Sequence, residues 1–256
     1  MSSRKLPSYL SLYAAQVPVL GRTGQTRLRR ARVHVFGCGG VGSQVVLNLA
    51  AAGVGHITVN DPQSIGIDNL NRFAMATLDD LDVPKVELLR RILEGRPYLK
   101  FYGLAAHSED QSVNAYAEAA DLLICCSNTA ASRVRASRLA VTYGKSIIDV
   151  SVADGRRALA GFIKFWHPDE SAWSACPACY LENTSSVERR EGLLPSVIAT
   201  IATLATHIAL LNLAPLRNIA SQNWNMLVIE LNALRMETLA VQKRAKCAAC
   251  NNQQQE

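Results

Sequence analysis

The sequence predicts an α/β protein with a doubly wound, largely parallel sheet and a C-terminal antiparallel extension. Three observations predict it. A strand, a glycine-rich turn and a helix follow one another within residues 31–52, the context that gives a GxGxxG pattern meaning. Short apolar runs then alternate with helix-like segments as far as Val150, the signature of βαβ units. Beyond Val150 the texture changes, and the last two strand-like runs follow each other directly.

Residues 1–20 are weakly patterned, with Pro7 and Pro18 as breaks, and a helix over Gly24–Arg32 feeds the first strand, Val33–Phe36. Gly37-Cys38-Gly39-Gly40-Val41-Gly42 follows. Gly37 permits the tight turn, Gly39 lets a phosphate approach the backbone, and Gly42 lets helix and strand pack closely. The N–H groups opening the next helix, which includes Val45–Ala52, would face an anion with the helix dipole behind them. The second strand, His56–Asn60, ends at Asp61, an acid placed to accept ribose hydroxyls. The competing reading is a glycine-rich turn that binds nothing.

A loop covers Asp61–Ala76. The next helix opens at Asp82-Val83-Pro84-Lys85, with proline near its first turn, and runs through Leu93. Strands at Lys100–Leu104, Asp121–Cys126 and Ser146–Val150 alternate with helices at Gln111–Ala119 and Ala130–Tyr143, the latter closed by Gly144 as a C-cap. In such a sheet the ligand sits at the carboxyl ends of the strands, which directs attention to Gly37–Gly42, Asp61 onward and Ser127-Asn128. An antiparallel strand at Ala158–Trp166, a polar segment at Glu182–Gly192, an apolar helix within Leu193–Ala214 and a strand pair at Trp224–Leu231 and Met236–Val241 complete the chain, before a disordered tail.

The 256 residues suffice for one large α/β domain or one with an appended piece, and 49% hydrophobic content excludes global disorder. Net charge is +6, with arginines at 27, 29, 30 and 32 and at 133, 135 and 138. No aromatic residues interleave with them, so a solvated helix face is favoured over a nucleic-acid surface. The N-terminus lacks the apolar core and cleavage site of a secretory signal. Leu193–Ala214 approaches membrane-spanning length, but its Ser, Thr, His and Asn content favours a buried core helix. The reading is a soluble, cytoplasmic protein.

Of seven cysteines, Cys38, Cys125 and Cys126 read as small core residues. Cys176, Cys179, Cys247 and Cys250 form two CxxC pairs, the four-thiolate set that closed structural zinc sites use. A zinc clip would clamp the C-terminal end to the middle of the chain. The alternatives are a redox CxxC or two unrelated thiol pairs.

The combined pattern, from about Gly24 to Cys250, resembles the ThiF/MoeB/HesA family, the bacterial branch of the ubiquitin-activating-enzyme superfamily. The family glycine motif matches Gly37, Gly39, Gly40 and Gly42, and the ribose acid matches Asp61. The SNLNRQ motif appears as Asp68-Asn69-Leu70-Asn71-Arg72-Phe73, and the phosphate-contacting lysine matches Lys85. The resemblance implies a Rossmann-like single domain: an N-terminal extension (1–23), a nucleotide-binding half (24–150), a carrier-binding and zinc half (151–250) and a tail (251–256).

It also implies ATP, magnesium and zinc as cofactors. The partners implied are a small ubiquitin-like or sulfur-carrier protein, or a peptide, whose C-terminal carboxylate is adenylated, and a second copy or a homologue as dimer partner. Asn69, Arg72 and Lys85 would reach the phosphates, Arg72 and Lys85 acting in catalysis. Three positions depart from the family. Ser127 stands where the magnesium aspartate is expected, leaving Asp149 as a candidate substitute. Ala15 stands where an arginine would reach the partner's site. No cysteine lies between Cys179 and Cys247, where thioester-forming members carry their nucleophile. The rival readings are a non-catalytic nucleotide-binding subunit paired with an active homologue, and an NAD-dependent dehydrogenase.

Overall fold

A computed structural model describes residues 6–73, 75–153, 159–181, 193–214 and 223–251. Two helices, α1 (Tyr9–Leu12) and α2 (Val17–Arg30), lead into β1 (Arg32–Phe36), α3 (Gly40–Ala52) and β2 (His56–Asn60). Then come α4 (Lys85–Leu93), β3 (Lys100–Leu104), α5 (Ser112–Ala119), β4 (Leu122–Cys125), α6 (Ala130–Tyr143) and β5 (Ser146–Val152). The order closes with β6 (Ala160–Trp166), α7 (Pro195–Leu213), β7 (Met226–Glu230) and β8 (Arg235–Leu239). The expected polar segment at 182–192 and the tail at 252–256 lie outside the described residues.

All eight strands join one sheet in the order β3-β2-β1-β4-β5-β6-β7-β8. The pairs from β3 through β5 are parallel, and those from β5 through β8 antiparallel. One face carries α3, α4 and α7 over a core that includes Val45, Leu49, Leu89 and Ile201. The other carries α5, α6 and the Cys176–Tyr180 turn around Phe36, Ile147 and Trp166.

α7 is long and apolar enough to cross a membrane by length and composition. Its Val197, Ile198, Ile201, Ala205 and Ala209 are instead buried, against α3, β5 and β6.

The N-terminal region is more ordered than its sequence pattern implies. Pro18 does not break α2 but occupies its first turn, where a missing N–H costs nothing. α2 kinks at Gly21, with φ +70°. Buried Tyr9 fixes α1: its hydroxyl lies 2.7 Å from the Gly53 carbonyl oxygen and 3.1 Å from that of Gln25. Arg27, Arg29, Arg30 and Arg32 are exposed, as a solvated face requires, but the second arginine cluster differs. Arg133 is buried, Arg135 donates to Asn114, and Arg138 donates to the Ala248 carbonyl.

Candidate functional site

The glycine turn closes β1 onto α3. Gly37 has φ +86°, a conformation that favours glycine. A Cβ on Gly37 would stand 3.0 Å from the backbone of Ser127, and one on Gly42 would overlap the Gly37 carbonyl. Gly39 is the N-cap of α3, with nothing within 4 Å of its Cβ direction. That open side, with free helix N–H groups beside it, is what an anion requires.

Asp61 is buried at the end of β2. Its carboxylate accepts the Cys38 backbone N–H at 2.7 Å and that of Gln63 at 2.9 Å. This fastens the acid to the glycine turn, and the remaining lone pairs of each oxygen stay available to hydroxyls. Burial pushes the Cys38 thiol well above its usual range, with Asp61 adding to the effect and Lys85 opposing it. Cys38 is a core thiol, not a nucleophile.

Arg72 and Lys85 arrive from the loop after β2 and from α4. The Arg72 stem lies over the turn: a Cβ on Gly40 would meet its Cγ at 3.1 Å. Its guanidinium pairs with Asp68 at 2.8 Å and also donates to the Asp68 carbonyl. That partner carboxylate is largely exposed, so the pair is worth about 1 kcal/mol or less. Arg72 holds the Asp68 carboxyl below its usual range.

Lys85 is buried as the first residue of α4, and its Nζ donates to Gln63 Oε1 at 2.6 Å. Asn69 is buried in a 3-10 turn, its Oδ1 accepting the Gly66 N–H at 3.2 Å. The structure thus gathers Gly37, Gly39, Gly40, Gly42, Asp61, Arg72 and Ser127 around one turn. Lys85 joins them through Gln63, and Asn69 through its carbonyl, which accepts the Arg72 backbone N–H.

Asp149 does not belong to this group. It sits mid-strand in β5, fully buried, bound to Arg133 of α6 and, at 3.1 Å, to Lys164 of β6. Arg133 also donates to the Val150 carbonyl at 3.0 Å. Burial opposes ionisation of Asp149, but the two cations outweigh it and hold the carboxyl below its usual range. The sequence carried a signal for this cluster: an acid inside the apolar run Ile147–Val150 demands a partner. With Asp149 neutralised, Asp68 on Arg72 and Ser127 neutral, these positions do not fit a magnesium ion held by the protein. Ala15 is exposed between α1 and α2.

The four CxxC sulfurs converge, all within 4.8 Å of one another. Cys176 Sγ lies 3.8 Å from Cys179 Sγ and 3.6 Å from Cys247 Sγ, and Cys179 Sγ lies 3.5 Å from Cys250 Sγ. A tetrahedral zinc with bonds of about 2.3 Å has edges of about 3.8 Å. The spacing therefore suits a metal and is far too long for disulfides. Hydrogen bonds within the cluster hold Cys179 and Cys247 below the usual thiol range and push Cys176 and Cys250 above it.

The sequence profile of the ThiF family matches residues 13–251. The adenylyltransferase and sulfurtransferase uba4 of Aspergillus fumigatus is 32% identical over 136 residues, 53% of this chain but only 28% of that protein. The sulfur carrier protein ThiS adenylyltransferase of Escherichia coli is 22% identical, across 89% of this chain and 88% of its own length. In fold, the chain is similar to E. coli MccB crystallised with MccA-N7isoASN, with TM-score 0.77 and 18% identity over 96% of this chain and 76% of the other. By its profile match over nearly its whole length, this chain belongs to the ThiF family.

Proposed function

We propose that the chain uses ATP to adenylate the C-terminal carboxylate of a small ubiquitin-like or sulfur-carrier protein, or of a peptide, without an internal thioester step. The observation that carries this is the placement of two cations, Arg72 and Lys85, beside an open glycine turn in a ThiF-family chain. The names of its relatives support adenylation: one acts on the sulfur carrier ThiS, and the MccB structure contains a form of MccA.

In this reaction a carboxylate oxygen of the carrier attacks the α-phosphorus of ATP. The bond from that phosphorus to the bridging oxygen breaks, and pyrophosphate leaves with the electron pair. Charge builds on the leaving group, and pre-placed cations and helix N–H groups lower the barrier. Arg72 is held by exposed Asp68 and Asn71 and can turn to the triphosphate, while Lys85 is held by neutral Gln63. Asp61 receives the ribose. Magnesium enters with the triphosphate as part of the substrate.

Residues 24–150 would hold the nucleotide and 151–250 the carrier. The cysteine set fits a structural zinc, which would fasten β8 and the segment after it to the turn following β6. Metal analysis of the purified protein is expected to find one tightly bound zinc.

A second reading, a nucleotide-binding subunit that pairs with an active homologue, is favoured by Ser127 and Ala15 specifically. Carrier-dependent exchange of pyrophosphate into ATP separates the two. The expected result is exchange in the wild type, reduced about 10- to 100-fold by Arg72→Ala or Lys85→Ala, since each charge-assisted contact is worth about 1.5–3 kcal/mol. Binding of ATP without exchange, unchanged by Ser127→Asp, would establish the subunit reading. Preference for NAD over ATP would establish a dehydrogenase.

A further inference from the structure

At the opposite end of the sheet, three strands present a row of bases. Arg32 opens β1, His56 opens β2 and Lys100 opens β3, and the register pairs them side by side. Arg32 and Lys100 are exposed and His56 half-buried. The next row on this face continues through Thr58 to Tyr102.

α5 crosses this face and presents Tyr116 beside the small Ala115 and Ala119, leaving a cavity of about 360 Å³ lined by these residues. That is within the range of small-molecule sites. The site is remote from the glycine turn, because β1 separates Arg32 from Gly37 by about 16 Å of strand.

The charge at the cavity is unbalanced. Asp121 adjoins it, its Oδ2 accepting the Arg32 backbone N–H at 2.8 Å, and offsets one of the two cations Arg32 and Lys100, leaving one in excess. His34, one row deeper, stays neutral: burial drives its pKa to about 3.

We propose that this cavity is a second binding site, for a small planar aromatic anion whose ring lies against Tyr102 and Tyr116 and whose carboxylate, sulfonate or phosphate meets Arg32 and Lys100. The half-enclosed hollow between alanines favours a ring over a peptide, and the row of bases favours an anion over a neutral ring.

The test is fluorescence titration of the full chain with 8-anilinonaphthalene-1-sulfonate. Arg32→Glu and Lys100→Glu are each expected to weaken binding at least 10-fold, while Arg72→Ala at the glycine turn leaves it unchanged. The uncharged N-phenyl-1-naphthylamine is expected to bind at least 10-fold more weakly than the sulfonate. Both charge reversals are at exposed positions, and thermal melts check their folding. Equal binding by the uncharged analogue, or titrations unmoved by both reversals, would overturn the proposal. Displacement of the probe by hexaglutamate more tightly than by 1-naphthoate would overturn it in favour of an acidic protein segment.

Discussion

Replacing His34 with asparagine should remove a large part of the protein's sensitivity to mild acid. His34 is fully buried, edge-on to Phe36, with Nδ1 2.8 Å from Thr58 Oγ1. Its Nε2 and the nearby Asn60 Oδ1 both lack hydrogen-bond partners among the described residues. Burial lowers the pKa from 6.5 to about 3, with the Asn60 side chain opposing the shift. Between these values the unfolded chain holds a proton that the folded chain refuses, so stability falls as pH falls. Each pH unit costs about 1.4 kcal/mol, and the full interval about 5 kcal/mol.

Between pH 6.5 and 4.5, urea unfolding should therefore show the wild type losing about 2–3 kcal/mol more than His34→Asn. The comparison is of pH slopes, so a constant packing cost in the variant drops out, as does any acid effect on the cysteine cluster. Asn also keeps a polar atom near the Nδ1 position for Thr58. Parallel slopes for the two proteins over that interval would show that His34 is not the neutral buried base described here.

Further outcomes follow from the same geometry. Gly39→Ala should melt like the wild type yet bind ATP at least 10-fold more weakly, because its Cβ enters only the open side of the turn. Gly42→Ala should lose about 3 kcal/mol of stability in urea titrations, since its Cβ meets the Gly37 carbonyl. Asp149→Asn strands two buried cations and should cost about 3–5 kcal/mol. Lys164→Met leaves Asp149 paired with Arg133 and should stay within about 1 kcal/mol of wild type in the same assay. Asp149, with its depressed pKa, stabilises the fold above the unfolded value of about 3.9, and that contribution drains away as pH falls below it. The acid limb beneath pH 4 should therefore shrink in Asp149→Asn.

Much of the fold was legible because its borders are chemically marked. The bounds of β2, β3 and α6 match those read from His56–Asn60, Lys100–Leu104 and Ala130–Tyr143, and Gly144 closes α6 at φ +59°. α1 was not legible, because its four residues are held by contacts from Tyr9 to residues far along the chain. At the site, spacing identified the glycine turn and the converging cysteines. It did not reveal that Arg72 rests on Gly40 or that Gln63 holds Lys85, since loop geometry brings those pairs together. Asp149 was legible as an oddity but not as a neutralised one, because its partners come from α6 and β6.

The buried Asp149–Lys164 pair and Gly161 together determine where β6 stops along β5. A slip of two residues would keep the same faces inward, bringing Phe162 or Trp166 opposite Asp149, and apolar burial alone scarcely distinguishes these arrangements. The charge does distinguish them, because a displaced Lys164 would be buried opposite Ile147 or Ser151 without its carboxylate. On the other face, Gly161 admits the tip of Ile201, where any Cβ would collide with it, and a slip in one direction would bring Ile163 to that place. The junction between the parallel and antiparallel parts of the sheet is thus keyed from both sides, by a charge that must be met and by a side chain that must be absent.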